Sequence, residues 1–123
     1  MNLKDFTSEQ RQAFLDLLVL AMYADGQLHS GEDERVEGLL TAMGFEPGYD
    51  QQREFDAAVT RVRRHSQPVD VACTHAAVLA KRFTTAAQRR TVLGLLGDLV
   101  NSDNQISPGE QQLLASVKQV FQM

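Results

Sequence analysis

The sequence predicts an all-α fold: a single-domain bundle of about six helices that covers residues 1–123 and contains an internal repeat. Three observations support this prediction. Apolar residues recur at the i, i+3, i+4 spacing of amphipathic helices along most of the chain. Several of these segments begin with a helix-capping signal. Runs of alternating β-branched residues, which would indicate strands, are missing from the sequence.

The first three helices lie in the N-terminal half. The first begins at a capping box, in which Thr7 is followed three residues later by Gln10, and should end at about Tyr23. A second helix is expected from about Ser30 to Met43 and a third from about Asp50 to Arg64. Each of these segments carries apolar residues on one face, so each should pack against the others.

The last three helices have clear start signals. Pro68 suits the first position of the fourth helix, because its missing N–H would have no partner there. Thr85 and Gln88 form a second capping box, which opens the fifth helix. Residues 107–110, Ser-Pro-Gly-Glu, open the sixth.

Two glycines, Gly94 and Gly97, lie inside the predicted fifth helix. Each costs about 1 kcal/mol relative to Ala in a helix interior. We therefore expect a packing reason for them, namely a close approach between this helix and a neighbour.

One segment of the chain occurs twice. Residues 25–32 read Asp-Gly-Gln-Leu-His-Ser-Gly-Glu, and residues 103–110 read Asp-Asn-Gln-Ile-Ser-Pro-Gly-Glu. Each copy follows one apolar helical stretch and precedes another, so the first and second helices are related to the fifth and sixth. We expect the two helix pairs to pack about a pseudo-two-fold axis, with the third and fourth helices completing the core.

The carboxylates of the repeated turn are candidate metal ligands. They are Asp25 and Glu32 in the first copy and Asp103 and Glu110 in the second. Their spacing matches the second half of a calcium-binding EF-hand loop, in which carboxylate oxygens bind a hard cation. The ligands of the first half of that loop are largely missing, which excludes a genuine EF-hand. A reduced site for a divalent cation such as calcium is the functional interpretation.

A structural interpretation of the same turns is equally simple. Asp and Gly are common where helices end, and a Glu in the first turn of a helix stabilises the helix dipole. The turns would then be hinges of the fold that bind nothing. The residues alone leave both interpretations open.

Composition and charge exclude several classes of function. The formal net charge of −4 argues against a nucleic-acid-binding protein and against a polybasic membrane anchor. The N-terminus lacks the apolar core of a signal peptide. The longest apolar stretch, residues 14–24, is interrupted by Asp16 and is too short to span a bilayer. A soluble cytoplasmic protein is expected.

The remaining chemistry-bearing residues favour structural roles. The single cysteine, Cys73, lies in an apolar run and is expected to be a buried thiol. His65 and His75 flank the break at Pro68 and are able to approach each other, but no ligand spacing marks a zinc site.

Basic residues form two clusters in the sequence. One comprises Arg53, Arg61, Arg63, Arg64 and His65, and the other comprises Lys81, Arg82, Arg89 and Arg90. These clusters are expected to be solvated faces or, in a functional interpretation, docking patches for an acidic partner or for the acidic turns of another copy.

Residues 17–28 read Leu-Leu-Val-Leu-Ala-Met-Tyr-Ala-Asp-Gly-Gln-Leu and are followed by Glu32. This pattern resembles the signature of the TerB-like proteins of bacteria, in which an apolar helix ends in Asp-Gly and an acidic helix start follows. The family is associated with tellurite resistance and stress response, and a related module precedes the J domain in some membrane-anchored co-chaperones. Its proteins are all-helical, with two related halves that each carry such a turn.

The resemblance implies a metal-binding or partner-binding role for Asp25, Glu32, Asp103 and Glu110, and no known catalytic activity. Two departures weaken the case for two equivalent metal sites. The second copy has Asn104 where the family has Gly, and His29 replaces the Asp or Ser that commonly caps the second helix.

The sequence thus favours a non-enzymatic TerB-like protein, a binding module with candidate divalent-cation sites at two acidic turns and an unidentified protein partner. The alternative is a structural protein-interaction domain, associated with a co-chaperone or a membrane complex, that binds no metal. An enzyme is least favoured, because no nucleophile, phosphate-binding or dinucleotide-binding motif is present.

Overall fold

The protein is described by a computed structural model that covers residues 6–24, 38, 40–41, 49–65, 69–101 and 108–122. In these residues the chain forms five α-helices, with a 3-10 helix at Arg63–His65 between the second and third. The helices are α1 (Ser8–Ala24), α2 (Tyr49–Val62), α3 (Val69–Ala80), α4 (Ala86–Asn101) and α5 (Pro108–Phe121). The described residues contain no strand, and the all-α prediction is confirmed.

The five helices correspond to the first, third, fourth, fifth and sixth helices expected from the sequence. Residues 38, 40 and 41 are also helical and fall in the range predicted for the second helix, whose other residues lie outside the described part of the chain. Leu40 is fully buried, as an apolar position of that helix should be.

The core of the molecule is built around α1. Every residue from Ala13 to Ala21 is buried, because the helix is apolar on all sides and must be covered on all sides. α1 packs against each of α2, α3, α4 and α5, and α3 also lies along α5. The predicted contact of the first helix with the fifth and sixth is thus present, whereas the pseudo-two-fold axis stays a prediction.

Both capping boxes form as predicted, and they bind each other. The Gln10 N–H donates to Thr7 Oγ1 at 3.1 Å, and the Thr7 N–H donates to Gln10 Oε1 at 2.9 Å. Thr85 and Gln88 repeat the arrangement at the start of α4. The Gln10 and Gln88 side-chain amides then exchange hydrogen bonds of 3.1 and 3.2 Å, which ties the N-terminus of α1 to that of α4.

Aromatic rings close the same end of the bundle. The Phe83 ring lies 5.3 Å from that of Phe6 and 6.3 Å from that of Phe121. Arg89 donates from Nε to the Phe83 carbonyl oxygen at 2.9 Å, and its guanidinium lies 5.8 Å from the centre of the Phe121 ring. Arg89 is therefore a structural residue rather than part of a solvated basic face.

The packing reason expected for the two glycines of α4 is wrong. A Cβ atom at Gly94 or Gly97 would meet no heavy atom within 4 Å in the described part of the molecule. Gly94 is also exposed, and neither glycine marks a close approach to another helix of the described residues.

Replacement of Gly94 by Ala should therefore stabilise the protein. The gain expected from helix propensity is about 0.5–1 kcal/mol in the free energy of unfolding, because no contact opposes the new methyl group. Urea unfolding followed by circular dichroism measures the change. A loss of stability in Gly94→Ala would show that the side of α4 carrying Gly94 is crowded.

Candidate functional site

The predicted metal ligands fall largely outside the described residues. Asp25, Glu32 and Asp103 are not among them, and Glu110 lies in the first turn of α5 with no side-chain description. α5 begins at Pro108, as the start signal of the sixth predicted helix indicates, and α4 extends to Asn101. The metal site therefore stays a prediction at the level of side-chain geometry.

A different group of polar residues comes together beside α1. Asp16 lies in the middle of that helix, is 4% exposed and follows the fully buried Leu15. An ionised carboxylate in such surroundings carries a large desolvation penalty unless a cation and hydrogen bonds compensate it. The sequence signal for this site is the single charge within the apolar stretch of residues 13–21.

Arg61 on α2 neutralises this carboxylate. Its Nε donates to both carboxylate oxygens of Asp16, at 3.1 and 3.2 Å, and its Nη2 donates to Oδ1 at 2.8 Å. This fork-like geometry is the strongest form of carboxylate recognition by a side chain. Arg61, expected in a solvated basic cluster, is instead half of a largely buried ion pair.

Burial and Arg61 shift the pKa of Asp16 in opposite directions. Burial raises the pKa of the Asp16 carboxyl above its ordinary value of 3.8, and the hydrogen bonds and positive charge of Arg61 oppose that rise. His75 and Arg82 add weaker positive charge on the same side. Asp16 is thus the centre of a group of cationic and titratable side chains drawn from three other segments.

The two histidines near the break between α2 and α3 are stacked. Their ring centres are 4.1 Å apart and their planes differ by 20°, so the predicted approach of His65 to His75 occurs. Burial lowers the pKa of His75 below 6.5, the charge of His65 lowers it further, and Asp16 opposes the shift. The described residues contain no group of three side chains suited to a metal ion.

The stacked histidines form one wall of an open groove along α3, which we call the α3 groove. Its volume is about 380 Å³, and it is lined by His65, Asp70, Val71, Thr74, His75 and Val78. Val71 is 38% exposed and Val78 is 50% exposed. Large apolar side chains this open to solvent set this face apart from the buried face of the same helix.

Four residues of the predicted basic clusters lie on the surface. Arg63 and Arg64 are exposed on the 3-10 helix, and Lys81 and Arg82 are exposed just after the end of α3. Cys73 is a free thiol that is partly buried against the core, so its predicted place beside apolar residues is correct and its burial is less than expected. No helix in the described part of the chain is long and apolar enough to cross a membrane.

Comparison with known families gives one match. The family model described as tellurite resistance protein TerB matches residues 11–123. The chain belongs to the TerB family. The matched range of this TerB protein includes all five described helices, the α3 groove and both acidic turns. Comparisons with curated proteins and with solved structures give no significant match.

In this TerB protein, loss of Arg61 should cost more stability than loss of Asp16. Arg61→Met leaves a buried carboxylate without its partner, which costs about 3 kcal/mol or more at neutral pH. Asp16→Leu leaves only Arg61, whose side chain is 34% exposed and can be hydrated. The double variant should regain most of the loss of Arg61→Met. Equal losses in the two single variants, measured by urea unfolding, would contradict this account.

The Arg61→Met variant should also respond differently to acid. Without Arg61 the folded-state pKa of Asp16 rises further above its unfolded value, so the folded state binds the proton more tightly. Relative to the native protein, Arg61→Met should therefore gain unfolding free energy as the pH falls. A constant difference between the two proteins across pH would contradict the assignment.

His75 should make the TerB protein less stable as the pH falls below about 6.5. Its folded-state pKa lies below the 6.5 of the unfolded chain, so protons bind the unfolded state more tightly in that window. Unfolding free energies measured between about pH 5.5 and 7.5 should fall less steeply with acid in His75→Gln. His65→Gln removes the stacked ring together with its charge but leaves His75 in place, and it should give an intermediate slope. An unchanged slope in His75→Gln would exclude His75 as the source of the loss of stability in acid.

Proposed function

We propose that this TerB-family protein is a non-enzymatic binding module of tellurite resistance and stress response, whose two acidic turns bind a divalent cation such as calcium. The observation that carries the proposal is the repeat of residues 25–32 at 103–110 inside the range that the family model matches. Asp25 and Glu32 would supply carboxylates at one site, and Asp103 and Glu110 at the other.

The helix ends beside the turns support cation binding. α1 ends at Ala24, next to Asp25, and α4 ends at Asn101, two residues before Asp103. The last four carbonyl groups of a helix lack intrahelical partners, and the C-terminus carries a partial negative charge. Carbonyl and carboxylate oxygens are the ligands that calcium takes in proteins. Carboxylates that follow such a helix end would meet a favourable field and further oxygen donors.

A role without catalysis is supported by the state of the buried polar groups. In the described part of the chain, no buried side-chain nitrogen or oxygen lacks a hydrogen-bond partner. The most deeply placed titratable group, Asp16, is engaged through both oxygens by Arg61. This arrangement serves the stability of the bundle.

The proposal includes a protein partner and a location in the bacterial cytoplasm. The net charge of −4 argues against nucleic acid as the partner. An interaction domain that binds no metal is the second candidate, and the exposed Val71 and Val78 of the α3 groove favour it. The two candidates differ in one measurable property, the response of the acidic turns to a divalent cation.

An amide NMR titration with calcium and then magnesium tests the proposal. Saturable shifts are expected at Gly26, Glu32, Asn104 and Glu110. The paired substitution Asp25→Asn with Glu32→Gln should abolish the shifts at the first turn while those at the second persist.

The control variant combines Glu9→Gln with Asp56→Asn, two exposed carboxylates remote in sequence from the turns. It makes the same change in net charge and should bind as the native protein does. An absence of shifts at millimolar metal would sink the cation proposal and leave the turns as hinges. If both paired variants lost the metal-induced shifts equally, the shifts would reflect the overall negative charge of the protein rather than binding at the turns.

A further inference from the structure

We propose that the α3 groove is the contact surface for a second copy of this chain, bound with its α3 antiparallel to the first. The proposal is independent of the acidic turns. It rests on the order of apolar and charged residues along the exposed side of one helix.

The residues concerned share one face of α3. At 100° per residue, Asp70, Val71, Thr74, His75, Val78 and Lys81 fall within an arc of about 140°. The opposite face carries Ala72, Ala76 and Leu79, all of which are buried in the core. The exposed arc is therefore the solvent side of a helix that is already packed on its other side.

The exposed face is apolar at its centre and charged at its ends. Val71 and Val78 are two turns apart, with Thr74 between them. Asp70 precedes them in the first turn of α3, and Lys81 follows them just beyond its end. A spacing of i, i+3, i+7 is the pattern by which one helix packs against another.

This order of residues is complementary to itself when reversed. In an antiparallel pair, Val71 of one copy lies beside Val78 of the other, and Asp70 lies beside Lys81. The midpoint of the two valines and the midpoint of Asp70 and Lys81 differ by one residue, so when the valines are aligned Lys81 lies two residues, about 3 Å, from the point opposite Asp70. A flexible lysine side chain accommodates that offset. One two-fold axis near His75 therefore satisfies both pairings.

Self-complementarity is what selects a second copy as the occupant. A closed two-fold interface requires one surface patch to match itself after rotation. An arbitrary acidic or basic partner would match only one end of this face, because the charges at its two ends have opposite sign. A single helix pair buries less area than a standard stable interface, so the dimer should be weak and its population should depend on concentration.

Sedimentation velocity over a range of concentrations tests the proposal. The average mass should rise from 13.7 kDa towards twice that value as the concentration increases. Val78→Asp should hold the protein at the monomer mass, because it places two carboxylates in the apolar centre. Ala115→Asp, an exposed position on α5, adds the same charge elsewhere and should leave the association unchanged. Circular dichroism checks that both variants are folded.

A charge exchange tests the antiparallel arrangement itself. Asp70→Lys and Lys81→Asp should each weaken the dimer, because each places like charges together. The double variant should restore it. A protein that stays monomeric at every concentration, or a dimer that Val78→Asp leaves intact, overturns the proposal. A dimer that the double variant fails to restore overturns the antiparallel pairing.

Discussion

The burial of α1 on every side is the constraint on which the rest of the structure depends. A helix that is apolar all round needs partners all round, and the other four described helices supply them. The one charge within its buried stretch, Asp16, then has to be matched by a cation brought from outside the helix. Arg61 meets that need from α2, so the ion pair links the two helices.

The two ends of α1 are controlled by different chemistry. At its N-terminus, the side-chain amide of Gln10 forms hydrogen bonds with Thr7, with Gln88 and with the carbonyl oxygen of Arg82. Three segments of the chain therefore meet at one side chain. At its C-terminus α1 is followed in the sequence by Asp25, the first proposed cation ligand. One end is thus fixed by neutral hydrogen bonds inside the protein, and the other carries the negative charge that the proposed cation sites require.

Local features of the fold were predictable, and contacts between distant segments were not. Both capping boxes and the start of α5 at Pro108 depend on residues three or four apart, and the structure has them as expected. The Asp16–Arg61 pair joins residues 45 positions apart, so only the anomalous charge in α1 signalled it. The prediction for the glycines of α4 was wrong because a glycine within a helical sequence does not reveal whether another helix lies close to it. The family match supports the TerB resemblance, and the acidic-turn ligands await measurement.

The central place of α1 has a consequence for biosynthesis. Of the described helices, α1 leaves the ribosome first and α5 last, yet α1 contacts α5 directly. At about 5 to 20 residues per second, roughly 5 to 20 s separate the two events. For that interval the central helix of the described fold lacks part of its cover. In the nascent chain the apolar surface of α1 must therefore be covered temporarily, by the helices already synthesised or by chaperones at the ribosomal exit tunnel.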